Sequence, residues 1–216
     1  MARRKKRKLK VGRIIILIFL LGVLCASGYF AYQKFTGKRD VTKKVKEISN
    51  IKGYGYTLKE NATDYYKKLF KKLGKVLSSD DVDVDKYAEI ESQMFVADFF
   101  NLDNKVSKND VGGVEFVYEP YKNDFKKYAM DSIYKSVTSN VYGNRKQSLP
   151  IVDDVKVSKV KNESFKYGDS SDDEAYVFNF SITYKDDLDY QDSGSLILIH
   201  SGKKLEVAAM SENEAS

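Results

Sequence analysis

From Ile14 to Tyr32 the chain reads IIILIFLLGVLCASGYFAY, nineteen residues without a charge. At 1.5 Å rise per residue, a helix of that length spans about 30 Å, the thickness of a bilayer's hydrocarbon core. A helix on the surface of a soluble domain would carry a polar stripe, and a buried soluble helix fits poorly because no charged residue interrupts this run. Residues 1–13 hold eight Lys/Arg and no acid, while Lys34, Lys38 and Arg39 follow the span. The heavier positive load is N-terminal, so the reading is a single-pass protein of the cell membrane. Residues 1–13 stay cytoplasmic and the remainder is exported. Arg13, Tyr29, Tyr32 and Lys34 then sit at the two membrane interfaces, where amphipathic rings and cationic ends are stable. A rival reading is a cleaved signal peptide, with a basic n-region, an apolar stretch to Leu24 and Ala26-Ser27-Gly28 as the small-residue site. A lipoprotein fits less well, because the bulky Leu24 directly precedes Cys25. Export follows from the first two readings alike.

Charge is divided along the chain. Residues 33–79 carry 13 basic and 4 acidic side chains, whereas residues 80–216 carry 16 basic and 27 acidic. The formal net charge of +6 therefore reflects the membrane-proximal part. An acidic distal domain repels a phosphate backbone, which argues against nucleic-acid binding. Cys25 is the one cysteine, so no disulfide forms within one chain and the exported domain must rely on its apolar core.

Residues 33–55 read as a tether rich in Lys and Gly, followed by a domain over 56–210 and a polar tail at 211–216. A first helix is expected from near Thr57, with Tyr65/Tyr66, Leu69, Leu73 and Val76/Leu77 on one face and lysines on others. A second is expected over about 83–102, with a wide apolar face that includes Tyr87, Ile90, Met94, Phe95 and Phe99. Residues 103–120 read as a long irregular connection around Gly112-Gly113, with Val114–Tyr118 extended, and Pro120 opens a third helix to Val137. After Pro150 the period changes from helical to two. Tyr176, Phe178, Phe180, Ile182 and Tyr184 share one face of a strand. Ser195–Ser201 is apolar on both faces, as in a central strand, and Gly202-Lys203 turns the chain into a hairpin partner. The fold class is α+β: one transmembrane helix, then three helices packed on a four-stranded antiparallel sheet.

That order resembles the NTF2-like (cystatin-like cone) architecture. It is also similar to the exported domain of VirB8/TcpC-type conjugation proteins, which likewise place a short cytoplasmic tail and one span before helices and a curved sheet. The stretches Tyr54–Leu58, Val96–Lys105 and Asn109–Gly113 resemble those of single-pass membrane-anchored proteins of Firmicutes, a resemblance that brings no known activity.

Chemistry-bearing motifs are sparse. His200 is the one histidine and lies within an apolar strand, and no nucleophile elbow accompanies it. Zinc needs several His/Cys ligands. Asp81, Asp83 and Asp85 alternate like the start of a calcium loop, but Lys86 stands where the glycine belongs and Ser92 where the glutamate does. Acids complementing a helix N-terminus account for them better. The acidic stretches around Asp169–Glu174 and Asp186–Asp192 read as solvated loops with at most weak calcium affinity. No acid sits alone in an apolar run in a way that suggests a raised pKa. Gly112-Gly113 lacks the pattern of a phosphate loop. Long connections often carry function, so Asp110, Gly112, Gly113, Tyr118 and Tyr121 are the expected partner contacts.

The expectation is a non-enzymatic, membrane-anchored interaction module without cofactor or metal, with the lipid bilayer and envelope proteins as partners, as in a conjugation or secretion assembly. Two alternatives stand beside it. One is a pocket between helices and sheet for a lipid, peptide or cell-wall glycan. The other is an Asp/Glu-dependent hydrolase, which requires two carboxylates in one cleft.

Overall fold

The computed structural model describes residues 45–212. The span at 14–32, with Arg13, Tyr29, Tyr32 and Lys34, lies outside the described residues. Among those residues no helix is long and apolar enough to cross a membrane.

The domain is α+β, with three α-helices and a four-stranded antiparallel sheet. It begins inside the expected tether. Strand β1 (Glu47–Ile51) pairs antiparallel with β2 (Tyr56–Lys59), through a turn in which Gly53 and Gly55 take φ of 82° and 75°. Tyr56 is fully buried, so the alternation from Tyr56 to Lys59 reports a half-covered strand rather than the first turn of a helix. Helix α1 (Asp64–Leu77) starts later than expected, because the Thr63 hydroxyl caps it by accepting from the Tyr66 amide at 3.1 Å.

Helix α2 (Val84–Phe99) is capped by Asp83, whose carboxylate accepts from the Lys86 amide. It packs between α1 and the sheet, which explains its wide apolar face. Phe95, Met94 and Val96 are fully buried, and each such side chain removed from water contributes about 1.5–3 kcal/mol. Helix α3 (Lys122–Asp131) is shorter than the expected 121–137. It ends where the Ala129 carbonyl accepts from both Ser132 and Tyr134 amides, and the turn that follows carries the Tyr134 ring into the core.

Strands β3 (Val152–Tyr167), β4 (Ser170–Tyr184), β5 (Ser193–Ser201) and β6 (Lys204–Ser211) follow in sheet order. The β4 face carrying Tyr176, Phe178, Phe180 and Ile182 is buried, while Asn179, Ser181 and Thr183 face solvent. β5 is interior, flanked by β4 and β6. Register shifts between Lys159 and Lys161 and between Glu163 and Phe165 bend the long β3–β4 hairpin. Tyr167, at its end, meets Tyr118 with ring centroids 5.1 Å apart. The stretch expected as an acidic loop at 169–174 therefore lies mostly within β4.

Candidate functional site

The connection 103–120 is built into the domain rather than draped over it. Val114–Phe116 forms a 3-10 turn, not an extended run, and a second such turn covers Glu119–Tyr121. The Tyr118 amide donates to the Val207 carbonyl at 2.9 Å, so this segment covers part of the free edge of β6. Gly112 lies so close to α2 that a Cβ there would sit 2.1 Å from the Asp98 carbonyl oxygen. Its amide donates to the Tyr134 hydroxyl at 3.0 Å, and that hydroxyl donates to the Phe99 carbonyl at 2.6 Å. Gly113 takes φ 73° and donates its amide to an Asp98 oxygen at 2.7 Å. Arg145, its side chain 3% exposed, donates to the Lys105 carbonyl at 2.8 Å and to the Asp103 carbonyl.

Rigid walls of this kind frame a cleft of about 360 Å³. β2 and the start of α1 supply Thr57, Lys59 and Tyr66; α2 supplies Asp98; the connection supplies Asn104, Lys105, Asp110 and Glu115; α3 adds Lys122 and Lys126. The carboxylates are each held by the protein. Asp98 pairs with the buried Lys105 at 2.5 Å. Glu115 accepts from the Thr57 amide at 2.9 Å, the Thr57 hydroxyl at 3.0 Å and the Tyr66 hydroxyl at 3.0 Å. Asp110 accepts from the Val106 amide at 3.0 Å and lies 3.9 Å from Lys59.

Their environments act in opposite directions. Burial pushes the Glu115 carboxyl up, and the neighbouring Asp98 adds to that, against the Thr57 and Tyr66 donors. Burial also works against the Asp98 charge, but the Lys105 and Lys59 ammonium groups and the Gly113 amide outweigh it and hold Asp98 below the usual carboxylate range. Asn104 also lines the cleft, and its side-chain oxygen is buried with no hydrogen-bond partner among the described residues.

The expected contact residues separate. Asp110 lines the cleft. Gly112 and Gly113 are buried, so they act as close-approach positions and not as a contact surface. Tyr118 and Tyr121 do not line the cleft; their rings meet edge to face at 5.2 Å, and Tyr118 also meets Tyr167. Sequence reasoning passed over Asp98, Lys105 and Glu115. Asp98 falls on α2 between Ala97 and Phe99, in a stretch that is otherwise apolar, and that was the available signal.

A second buried acid was also passed over. Glu91 on α2 is fully buried, and neither carboxylate oxygen has a hydrogen-bond partner among the described residues. Burial pushes its carboxyl well above the ordinary value, against the nearby Tyr87, Lys204 and Tyr56. The Tyr56 and Tyr87 hydroxyls bond to each other, and the Leu205 amide donates to Tyr87 at 3.0 Å. No apolar run marks Glu91 in sequence, where Glu89, Ser92 and Gln93 are its neighbours, and its raised carboxyl pKa corrects the expectation that no acid carries one.

His200 is 41% exposed on the strand and pairs through Nδ1 with Asp172 at 2.9 Å. The same carboxylate oxygen accepts the His200 amide at 2.6 Å. Asp83 serves as a helix cap and Asp85 pairs with Lys159 at 2.9 Å. Among the described residues no three His, Cys, Asp or Glu side chains are grouped as metal ligands would be. The space between helices and sheet is filled by Phe95, Phe100, Phe178 and Leu196, each at most 2% exposed. No family model, curated protein or solved structure matches this chain.

Proposed function

We propose that this protein is a membrane-anchored, extracytoplasmic binding module of the cell envelope, and that its partner engages the cleft bounded by Lys59, Asp110 and Lys126. The observation that carries this reading is the bracing of the cleft. Each carboxylate in it is tied to protein donors, and its outer wall is fixed through Gly112, Tyr134 and Arg145. A wall already ordered loses little conformational entropy when a partner binds. A scaffold role in a conjugation- or secretion-type assembly fits such a surface, as does the resemblance to NTF2-like and VirB8/TcpC-type domains. The filled space between helices and sheet favours this lateral cleft over an interior lipid or glycan pocket. A photoreactive residue at Lys126 or Lys59, in intact cells, is expected to give adducts of discrete mass, whereas one at the exposed Tyr142 does not. Recovery of uncoupled bait from all three positions overturns the reading.

A hydrolase has one specific observation in its favour. Asp98 and Glu115 share a cleft and their carboxyls are driven apart in acidity, the arrangement that separates a base from an acid. Release of reducing ends from cell-wall glycan by the purified chain, lost in Glu115→Gln with the fold retained, would replace binding by catalysis as the cleft's role.

A further inference from the structure

We infer that the outer face of α1, with the groove beside it, docks on the anionic surface of the membrane. The inference rests on the anchored reading above. Lys68, Lys71, Lys72 and Lys75 are exposed on α1, and none forms an ion pair among the described residues. Lys68, Lys71 and Lys75 are three and four residues apart and so form one stripe. One acid, Asp64, lies at its start, and Lys67 pairs with it at 3.1 Å.

Beside this stripe, β1 and α1 leave an open groove of about 590 Å³. Ile51, Leu58, Phe70 and Leu77 line it, with Lys52 and Lys71 among its cationic side chains. Apolar walls next to ammonium groups suit a phospholipid, whose glycerol and first methylenes adjoin an anionic headgroup.

Two observations select the membrane as the occupant. First, β1 begins at Glu47 and the apolar span ends at Tyr32. The fourteen intervening residues extend to at most about 50 Å, so the domain stays beside the bilayer at high local concentration. Second, residues 80–216 hold 27 acidic against 16 basic side chains, opposite in sign to the stripe. An anionic surface attracts the lysine face and repels the rest, which sets one orientation.

The test uses the full chain with Cys25→Ser and a dye at a new thiol, Ser78→Cys at the end of α1 or Tyr142→Cys as the control. It is reconstituted into phosphatidylcholine vesicles with and without phosphatidylglycerol, together with headgroup-quencher lipid. Quenching at position 78 is expected to rise when phosphatidylglycerol is present. It should fall to the phosphatidylcholine level with the triple variant Lys68→Glu, Lys71→Glu, Lys75→Glu, and in high salt. Position 142 should be indifferent to lipid charge. Equal quenching at position 78 in both lipids overturns the inference, leaving α1 a solvated face, and so does equal displacement of the dye by a soluble polyanion. Resistance to alkaline carbonate extraction reports the anchor separately. Should the chain be extracted, flotation with phosphatidylglycerol vesicles alone still supports docking, and its absence refutes it.

Discussion

Asp98 and Glu91 lie two turns apart on one face of α2, and the protein treats them differently. Asp98 meets an ammonium group, an amide and a cleft. Glu91 meets two tyrosine hydroxyls that are bonded to each other, and no aligned donor. Burial works against the charge of both, but only at Asp98 do the neighbours outweigh it and lower the carboxyl's pKa. Burial alone therefore does not decide a carboxyl's state; the partner does.

The largest test of this contrast breaks the satisfied pair. Lys105→Met leaves Asp98 without its counter-ion and is expected to cost about 3–5 kcal/mol in urea denaturation. An unchanged midpoint would mean that water compensates Asp98. Next, Gly112→Ala drives a methyl group into the Asp98 carbonyl and separates the cleft wall from α2, at about 1–3 kcal/mol or more. Tyr134→Phe removes the acceptor of Gly112 and the donor to Phe99, for about 1–3 kcal/mol, with a loosened cleft seen as faster amide exchange at Gly112.

The comparison sharpens with pH. The folded Glu91 carboxyl binds its proton more tightly than the unfolded one. Stability is complete below its ordinary value of 4.5 and declines as pH rises through the folded value. Glu91→Gln should flatten that decline and raise stability near neutrality. Asp98 has the opposite sign: its contribution is present above the ordinary 3.8 and is lost as pH falls through the depressed folded value, so Asp98→Asn flattens the acid limb. Denaturation midpoints across pH for the two variants check this, and parallel curves would refute it. The smallest effect is expected at the exposed Asp85–Lys159 pair, where Asp85→Ala should change stability by about 0.5 kcal/mol or less.

How far the sequence reaches is visible in particular residues. Period-two alternation at Tyr176–Ile182 and the two-sided apolar run at Ser195–Ser201 identify β4 and β5, because a strand's faces are written into alternate positions. The crowded apolar face of α2 reports a central helix for the same reason. Turn chemistry at Gly202-Lys203 specifies the last hairpin. Each of these signals is local, and each depends on side chains separated by fewer than about eight residues.

The candidate site is of another kind. Thr57 meets Glu115, Lys59 nears Asp110, and Tyr134 reaches Gly112 across 58, 51 and 22 residues of chain. No periodicity encodes such meetings. In sequence, Gly112-Gly113 reads as a loop that offers a surface, and β1 reads as tether. Packing against α2 turned the glycines inward, and pairing with β2 turned the tether's end into a strand. Local preference thus determined the segments with a strong period, α2, β4 and β5, whereas β1 became a strand through its partner. Which acids keep their charge, and which of them share a cleft, was decided by tertiary contact, since hydration is lost or compensated only when distant segments close over a group.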